Sequence, residues 1–367
     1  MVPSKTDKTV EFSSSGMFII DDVEHEDGSL LKNVIGGGGT WALLGARIWT
    51  PGAEAARLGL VIDVGTDFPE EVRTQLEQLG TGSLFRANPD RLTTHGYNYV
   101  HNNGFRHFEY KSPKRAIGAD DLIEAGFHNC ETLHVITNPT KFRRMHARLM
   151  EHRTAAAPPL IVWEPTPESC LPEHWDECQE AMKLCDIFSP NEVDSAGFFG
   201  VAPEHSLSKA TEFAQAFSEL QIGPNGRGWV VLRCGHMGSF IAPCVQQTPT
   251  VSSSSPRTLT HLPCFPMDPH TVVDTTGAGN TFCGTLIVEY HRTSNIIEAA
   301  LKATVSASFA IQQYGLPRLT CMTSDDDDSS FGRGRDFGSR ELWNGESASD
   351  RLQRFYAFLS KQAPDLL

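Results

Sequence analysis

The sequence predicts an α/β protein, a doubly wound and mainly parallel sheet flanked by helices, with a small antiparallel β lid. Three observations predict it. Short β-type runs recur at residues 17–22, 58–63, 133–137, 160–164, 187–189 and 229–233, with helical stretches and turn residues between them. Several of these runs are apolar throughout instead of alternating, as parallel strands are when helices cover both faces, and the alternation itself is the doubly wound pattern. The rhythm then breaks over residues 83–113, where runs at 83–86, 95–100 and 106–110 are separated by Asn, Gly and Pro without a helix pattern. Strands that lack crossover helices cannot join a parallel sheet, so these are expected to form an antiparallel flap, well placed to act as a lid.

Composition narrows the class. A chain of 367 residues with 40% hydrophobic content can bury one large core with an appendage. A formal charge of −14 excludes a surface made for nucleic acid or anionic membrane, which would require clustered Lys and Arg. The acidic run at 325–328 reads as a solvated loop. No two of the nine cysteines form a C-x-x-C or similar metal spacing, and the fourteen histidines show neither H-x-x-x-H nor H-E-x-x-H, so structural zinc is not expected. The opening residues lack an apolar run able to serve as a signal peptide, and no stretch approaches 18 uninterrupted apolar residues, which makes the reducing cytosol the expected compartment.

The chemistry concentrates at Asp274-Thr275-Thr276-Gly277-Ala278-Gly279-Asn280. A β-run, Val272-Val273, enters this small-residue turn, and an apolar helical stretch leaves it. At such a junction the first amides of the helix are unpaired and point outward, and the helix dipole favours an anion there. A plain strand-to-helix turn with Asn280 as N-cap would use the same residues. The whole string, however, closely resembles the second signature of the PfkB family of ribokinase-like carbohydrate kinases, in which the glycine turn stabilises the transferred phosphoryl group and an aspartate follows it.

Other segments resemble that family in the same order along the chain. The opening 16–21 is similar to its first strand, whose terminal aspartate binds substrate hydroxyls; Asp21 takes that place, or Asp22 if the register slips. Asn33 and the glycine run with Gly37 and Gly38 resemble the substrate loop. Asn191 with Asp194 resembles the element that orders magnesium and phosphates, Asp194 acting on the metal indirectly. Arg233 and Gly235 lie in the hairpin that resembles the nucleotide flank, Thr275 in the phosphate turn, and the helix carrying Ala303, Ala307 and Ala310 resembles the family's closing helix, whose N-terminal side borders adenine. The resemblance implies ATP and Mg2+ as cofactors and a sugar or nucleoside as substrate, with a possible homodimer through the lid. Its closest form is the fungal maintenance-of-killer branch. On this basis residues 1–15 are expected to be disordered and 16–320 to form the kinase-like domain, with the lid at 83–113 and a flexible insertion at 246–261. Residues 321–349 are expected to be an acidic flexible segment and 350–367 a terminal helix, where Leu352, Phe355, Tyr356 and Leu359 recur at helical spacing.

One position departs from the family. Asn280 stands where the family keeps its catalytic aspartate, and an amide accepts a hydrogen bond but has no useful basicity near neutrality. General-base help is worth about 10²- to 10⁴-fold, whereas positioning and electrostatics supply most of phosphoryl-transfer catalysis. Two readings follow: a slow or unusual Mg-ATP-dependent kinase for a sugar, nucleoside or related alcohol, in which Asn280, Gly277, Ala278 and Gly279 form the transfer site; or a pseudokinase acting as a ligand-binding sensor or scaffold. A dinucleotide-binding oxidoreductase fits poorly, because only Val34 and Ile35 precede the glycine run, too short for the strand that fingerprint requires.

Overall fold

A computed structural model describes residues 9–101, 106–244, 259–322 and 340–366. Its centre is an eight-stranded sheet. From edge to edge this runs β14 (Thr260–Leu262), β13 (Ser239–Pro243), β12 (Trp229–Arg233), β11 (Ile187–Phe188), β10 (Leu160–Glu164), β9 (Thr132–Ile136), β1 (Phe12–Ser14) and β4 (Leu58–Gly59). Pairings from β12 to β4 are parallel, and only the β12–β13–β14 edge is antiparallel.

Because successive strand side chains point to opposite faces, each apolar run feeds two cores. Val162, Ile187, Trp229 and Val231 enter one, with α1 (Gly38–Ile48), α2 (Glu70–Gln78), α8 (Ala278–Thr293), α9 (Ile296–Ala310) and α10 (Ala348–Gln362). Ile161, Trp163, Phe188, Val230 and Leu232 enter the other. There they meet α3 (Ala119–Glu124), α4 (Pro139–His152), α5 (Trp175–Met182), α6 (Glu192–Phe198) and α7 (Leu207–Ser218). The helix α4 shows the local logic: Asn138 caps it by accepting from the Lys141 N–H, Pro139 occupies the first turn, and Phe142, Met145 and Leu149 are buried at helical spacing.

A four-stranded sheet stands apart in the order β3 (Leu30–Gly36), β2 (Ile19–His25), β7 (His95–Val100), β8 (Arg106–Tyr110). Its outer pairings are antiparallel and its central one parallel. No helix among the described residues is long and apolar enough to cross a membrane. All nine cysteines are free thiols, eight of them wholly or partly buried.

Several expectations are corrected. The first core strand is β1 within residues 9–15, which the sequence suggested to be disordered; its Ser-rich face hides a fully buried centre in which Phe12, Ser13 and Ser14 are enclosed by β4 and β9. The run 17–22 belongs instead to β2 of the small sheet, joined by β3, whose residues 33–36 the sequence suggests to be part of the substrate loop. The run 58–63 splits at Leu60: its second half, β5 (Val61–Val64), pairs in parallel with β6 (Leu84–Ala87), so 84–87 lies outside the small sheet. Within 246–261, Thr260 and His261 form the edge strand β14, and the remainder up to 258 lies outside the described residues. Within 321–349, β15 (Leu319–Met322) pairs with β16 (Arg340–Trp343), where Trp343 is fully buried and Glu341 takes Arg47 in a bidentate pair at 2.6 and 2.7 Å. Residues 323–339, with the acidic run, lie outside the described residues. The last helix starts at Ala348, capped by the Ser347 side chain accepting from the Asp350 N–H at 3.1 Å.

Candidate active site

The strands β10, β11 and β12 end at one edge of the parallel sheet, where crevices form in doubly wound folds. A cavity of about 780 Å³ opens there. Its floor is polar, with Glu164, Asn191, Asp194, Arg233 and Asn280, and its wall apolar, with Phe265, Met267, Val272, Ala307 and Ile311.

The helix α8 points its N-terminus into this cavity. The Thr276 N–H donates to Asp274 Oδ1 at 2.7 Å, turning the chain. Gly277 is then the N-cap at φ 79°, in the left-handed region that favours glycine, and it supplies no side-chain cap. The amides of Gly279 and Asn280 in the first turn are therefore left without an intrahelical acceptor. Bulk is excluded at both glycines: a Cβ on Gly277 would lie 2.1 Å from the Trp41 ring, and one on Gly279 would lie 2.1 Å from Arg233 Nη1. The result is an open corner with two outward donors and a guanidinium at its side, suited to an anion.

Below that corner runs a buried polar chain. The Gly16 N–H donates to Ser14 Oγ at 2.9 Å, Ser14 Oγ meets His134 Nδ1 at 2.8 Å, and His134 Nε2 meets Glu164 Oε1 at 2.6 Å. Asn280 Nδ2 donates to the same Oε1 at 3.0 Å, and Arg233 Nη2 reaches Glu164 Oε2 at 2.8 Å while also donating to the Ser189 carbonyl at 2.9 Å. Burial alone would raise the Glu164 carboxyl, but the Arg233 guanidinium, then His134 and Asn280, outweigh it and hold the group down at about 2. Asp194 behaves oppositely. Burial prevails over the nearby Arg233, pushing its carboxyl up to about 6.

The structure brings most of the sequence-suggested residues together. Thr275, Ala278, Gly279, Asn280, Asn191, Asp194, Arg233 and Gly235 all line the cavity, and Gly277 caps the helix beneath it. Asn191 and Asp194 also cap α6 reciprocally, the Asp194 N–H donating to Asn191 Oδ1 at 2.8 Å. Asp21 lies apart on β2, buried, where a Cβ on Gly36 or Gly96 would come within 2.2 Å of its carboxylate oxygens. Asp22 instead accepts from the Asn33 N–H at 3.4 Å. Gly37 caps α1 at φ 96°, and Gly38 begins it; a Cβ on Gly38 would lie 3.4 Å from Asn280 Nδ2. Asn280 therefore joins the cavity to the segment that leads from Asp21. Asn33 departs from expectation: its amide donates to Glu71 Oε1 at 2.9 Å in an exposed contact, and it does not line the cavity.

Sequence reasoning missed Glu164 and His134. A signal existed: a charged residue at the carboxyl end of an all-apolar run, Leu160-Ile161-Val162-Trp163-Glu164, and a histidine inside Thr132–Ile136, are costly to bury and imply partners.

The description of pfkB family carbohydrate kinases matches residues 20–319. An uncharacterized protein of Schizosaccharomyces pombe is 49% identical over 355 residues, covering 96% of this chain and 94% of that protein. The MAK32 protein of Saccharomyces cerevisiae is 30% identical over 357 residues, covering 94% of this chain and 91% of that protein. Among solved structures, Giardia lamblia ribokinase superposes with a TM-score of 0.65 at 17% identity, covering 84% of this chain and 96% of that one. Escherichia coli phosphofructokinase-2 superposes with a TM-score of 0.62 at 12% identity, covering 95% and 99% respectively.

Proposed function

The chain belongs to the pfkB family of carbohydrate kinases, in a fungal branch with MAK32, and from that premise we propose that it is an ATP-dependent phosphotransferase acting on a hydroxyl of a sugar, nucleoside or related alcohol in the cytosol. The observation that carries this reading is the N-terminus of α8, where the Gly279 and Asn280 amides face the cavity beside Arg233. Those donors would hold the terminal phosphate, and the apolar wall with Phe265 and Ala307 would take the base. Asn191 and Asp194 would hold magnesium through water; the paired polar side chains on the cavity floor suit that role, and the metal would neutralise charge on the phosphate oxygens.

Asp21 and Gly38 would bind the acceptor, whose hydroxyl donates to Asn280 Oδ1. The acceptor oxygen attacks the γ-phosphorus, the bond to the β-phosphate bridging oxygen breaks with its electron pair going to ADP, and the hydroxyl proton leaves to solvent. Transfer without a carboxylate at position 280 relies on positioning and on the oriented amides.

Incubation of the protein with Mg-ATP labelled at the γ-phosphate and a panel of pentoses, hexoses and nucleosides tests this. Label is expected on one acceptor class. The second reading, a pseudokinase, is favoured by one observation, the commitment of the Asn280 amide to Glu164. Saturable nucleotide binding without transfer to any member of the panel would establish it.

A further inference from the structure

We propose that Glu164 is the positioning residue of this cleft: it fixes the direction of the Asn280 amide, and the two form a matched carboxylate–amide pair in which a second carboxyl group at position 280 could not be ionised together with Glu164. The orientation follows from donors and acceptors. An ionised carboxylate only accepts, so the Asn280 atom 3.0 Å from Glu164 Oε1 must be the amino group. Oδ1 then faces the other way and takes no hydrogen bond from the described residues. In the proposed function this is the atom offered to the acceptor hydroxyl, and the inference rests on that reading for its catalytic meaning.

Four elements meet at the pair. Glu164 ends β10, His134 reaches it from β9, Arg233 from β12 and Asn280 from α8, and Glu164 is 3% exposed. The charged and titratable groups around it are Arg233, His134 and the Cys283 thiol, with Asp194 close enough to act on it by charge. Every polar atom of the Glu164 carboxylate is engaged, so it cannot swing aside for a second anion. An aspartate at 280 would set two carboxylate oxygens about 3 Å apart, a spacing at which both cannot stay ionised. The residue the family resemblance asks for at 280 is thus disfavoured beside Glu164 wherever both carboxyl groups would be ionised.

The test uses the full chain with Asn280→Asp, Glu164→Gln and the double substitution, melted without nucleotide at pH 5 and pH 8. In Asn280→Asp the carboxyl pair has a folded-state pKa raised above its unfolded value, so stability present at low pH is lost as pH rises through that value. The expected result is a melting temperature lower than the native one by on the order of 5 °C at pH 8, with a much smaller deficit at pH 5. The double substitution restores one amide and one carboxylate, His134 moving its proton to Nδ1, and is expected to recover more than half of the deficit. Selective nitrogen-15 labelling of asparagine supplies a signature of orientation: the side-chain amide signal lost in Asn280→Asp is expected to shift in Glu164→Gln. Additive melting effects, an Asn280→Asp variant as stable as the native chain at pH 8, or an amide signal unmoved by Glu164→Gln would each overturn the pairing. None of these readouts involves nucleotide, so failure of ATP to bind would refute the proposed function alone.

Discussion

The two halves of the cleft differ in how they treat polar and apolar surface. Around the phosphate corner, charge is buried and matched: the Arg233 and Glu164 side chains are 13% and 4% exposed, and both are held by strands of the main sheet. Around Asp21 the surrounding sheet is open, with Phe108 and Tyr110 of β8 at 43% and 41% exposure. The Tyr110 phenol is raised by burial and then by the negative charge of Asp21 and Glu168. Preorganised donors and a paired carboxylate suit a cosubstrate whose chemistry is fixed, because such groups need no reorganisation when charge arrives. A partly exposed aromatic face on a separate sheet suits a surface that meets a variable acceptor or a second protein.

Breaking the buried half is expected to have the largest effect. Arg233→Met leaves the Glu164 carboxylate enclosed without its counter-charge, which should cost about 3–5 kcal/mol in urea unfolding. Gly277→Ala follows, since a Cβ there meets the Trp41 ring in a left-handed conformation; about 2–4 kcal/mol is expected from backbone strain and overpacking. A loss below 1 kcal/mol would mean that the turn relaxes freely.

Asp194 sharpens the comparison through pH. Its folded carboxyl is raised to about 6, so it contributes stability at pH 4 that is lost as pH rises to 6. Glu164 acts in the opposite sense, contributing above its unfolded value and losing that contribution only as pH falls toward 2. Between pH 4 and 6, with chelator present, Asp194→Asn should flatten the native decline by on the order of 1–2 kcal/mol. The smallest effect is expected at the open half: Phe108→Ala should change stability by no more than about 0.5 kcal/mol and leave nucleotide affinity unaltered. A larger loss would mean that the small sheet is part of the rigid scaffold.

The same contrast governs what could be read in advance. The phosphate turn was legible because its chemistry demands small residues in one order, and the apolar runs 160–164 and 229–233 were legible because both faces of the main sheet are buried. The first core strand escaped notice because a central strand is held by backbone pairing to β4 and β9, which a Ser-rich segment supports as well as an apolar one. The small sheet was half seen: β7 and β8 announce themselves by turn residues, whereas β2 and β3 resemble a core strand and a glycine loop until their pairing is known. Glu164 and His134 come together only through the lateral neighbours β9 and β10, a relation between distant segments that a linear pattern does not carry.

Titration calorimetry of Mg-ATP into the native chain and into Gly279→Val tests most directly whether the amides at the start of α8 grip the terminal phosphate. The native chain should bind one nucleotide saturably, and the variant, whose side chain would fill the corner against Arg233, should bind at least about 30-fold more weakly while keeping its native circular dichroism, a loss of roughly 2 kcal/mol. No heat from the native chain, or equal affinity in the two, would contradict it.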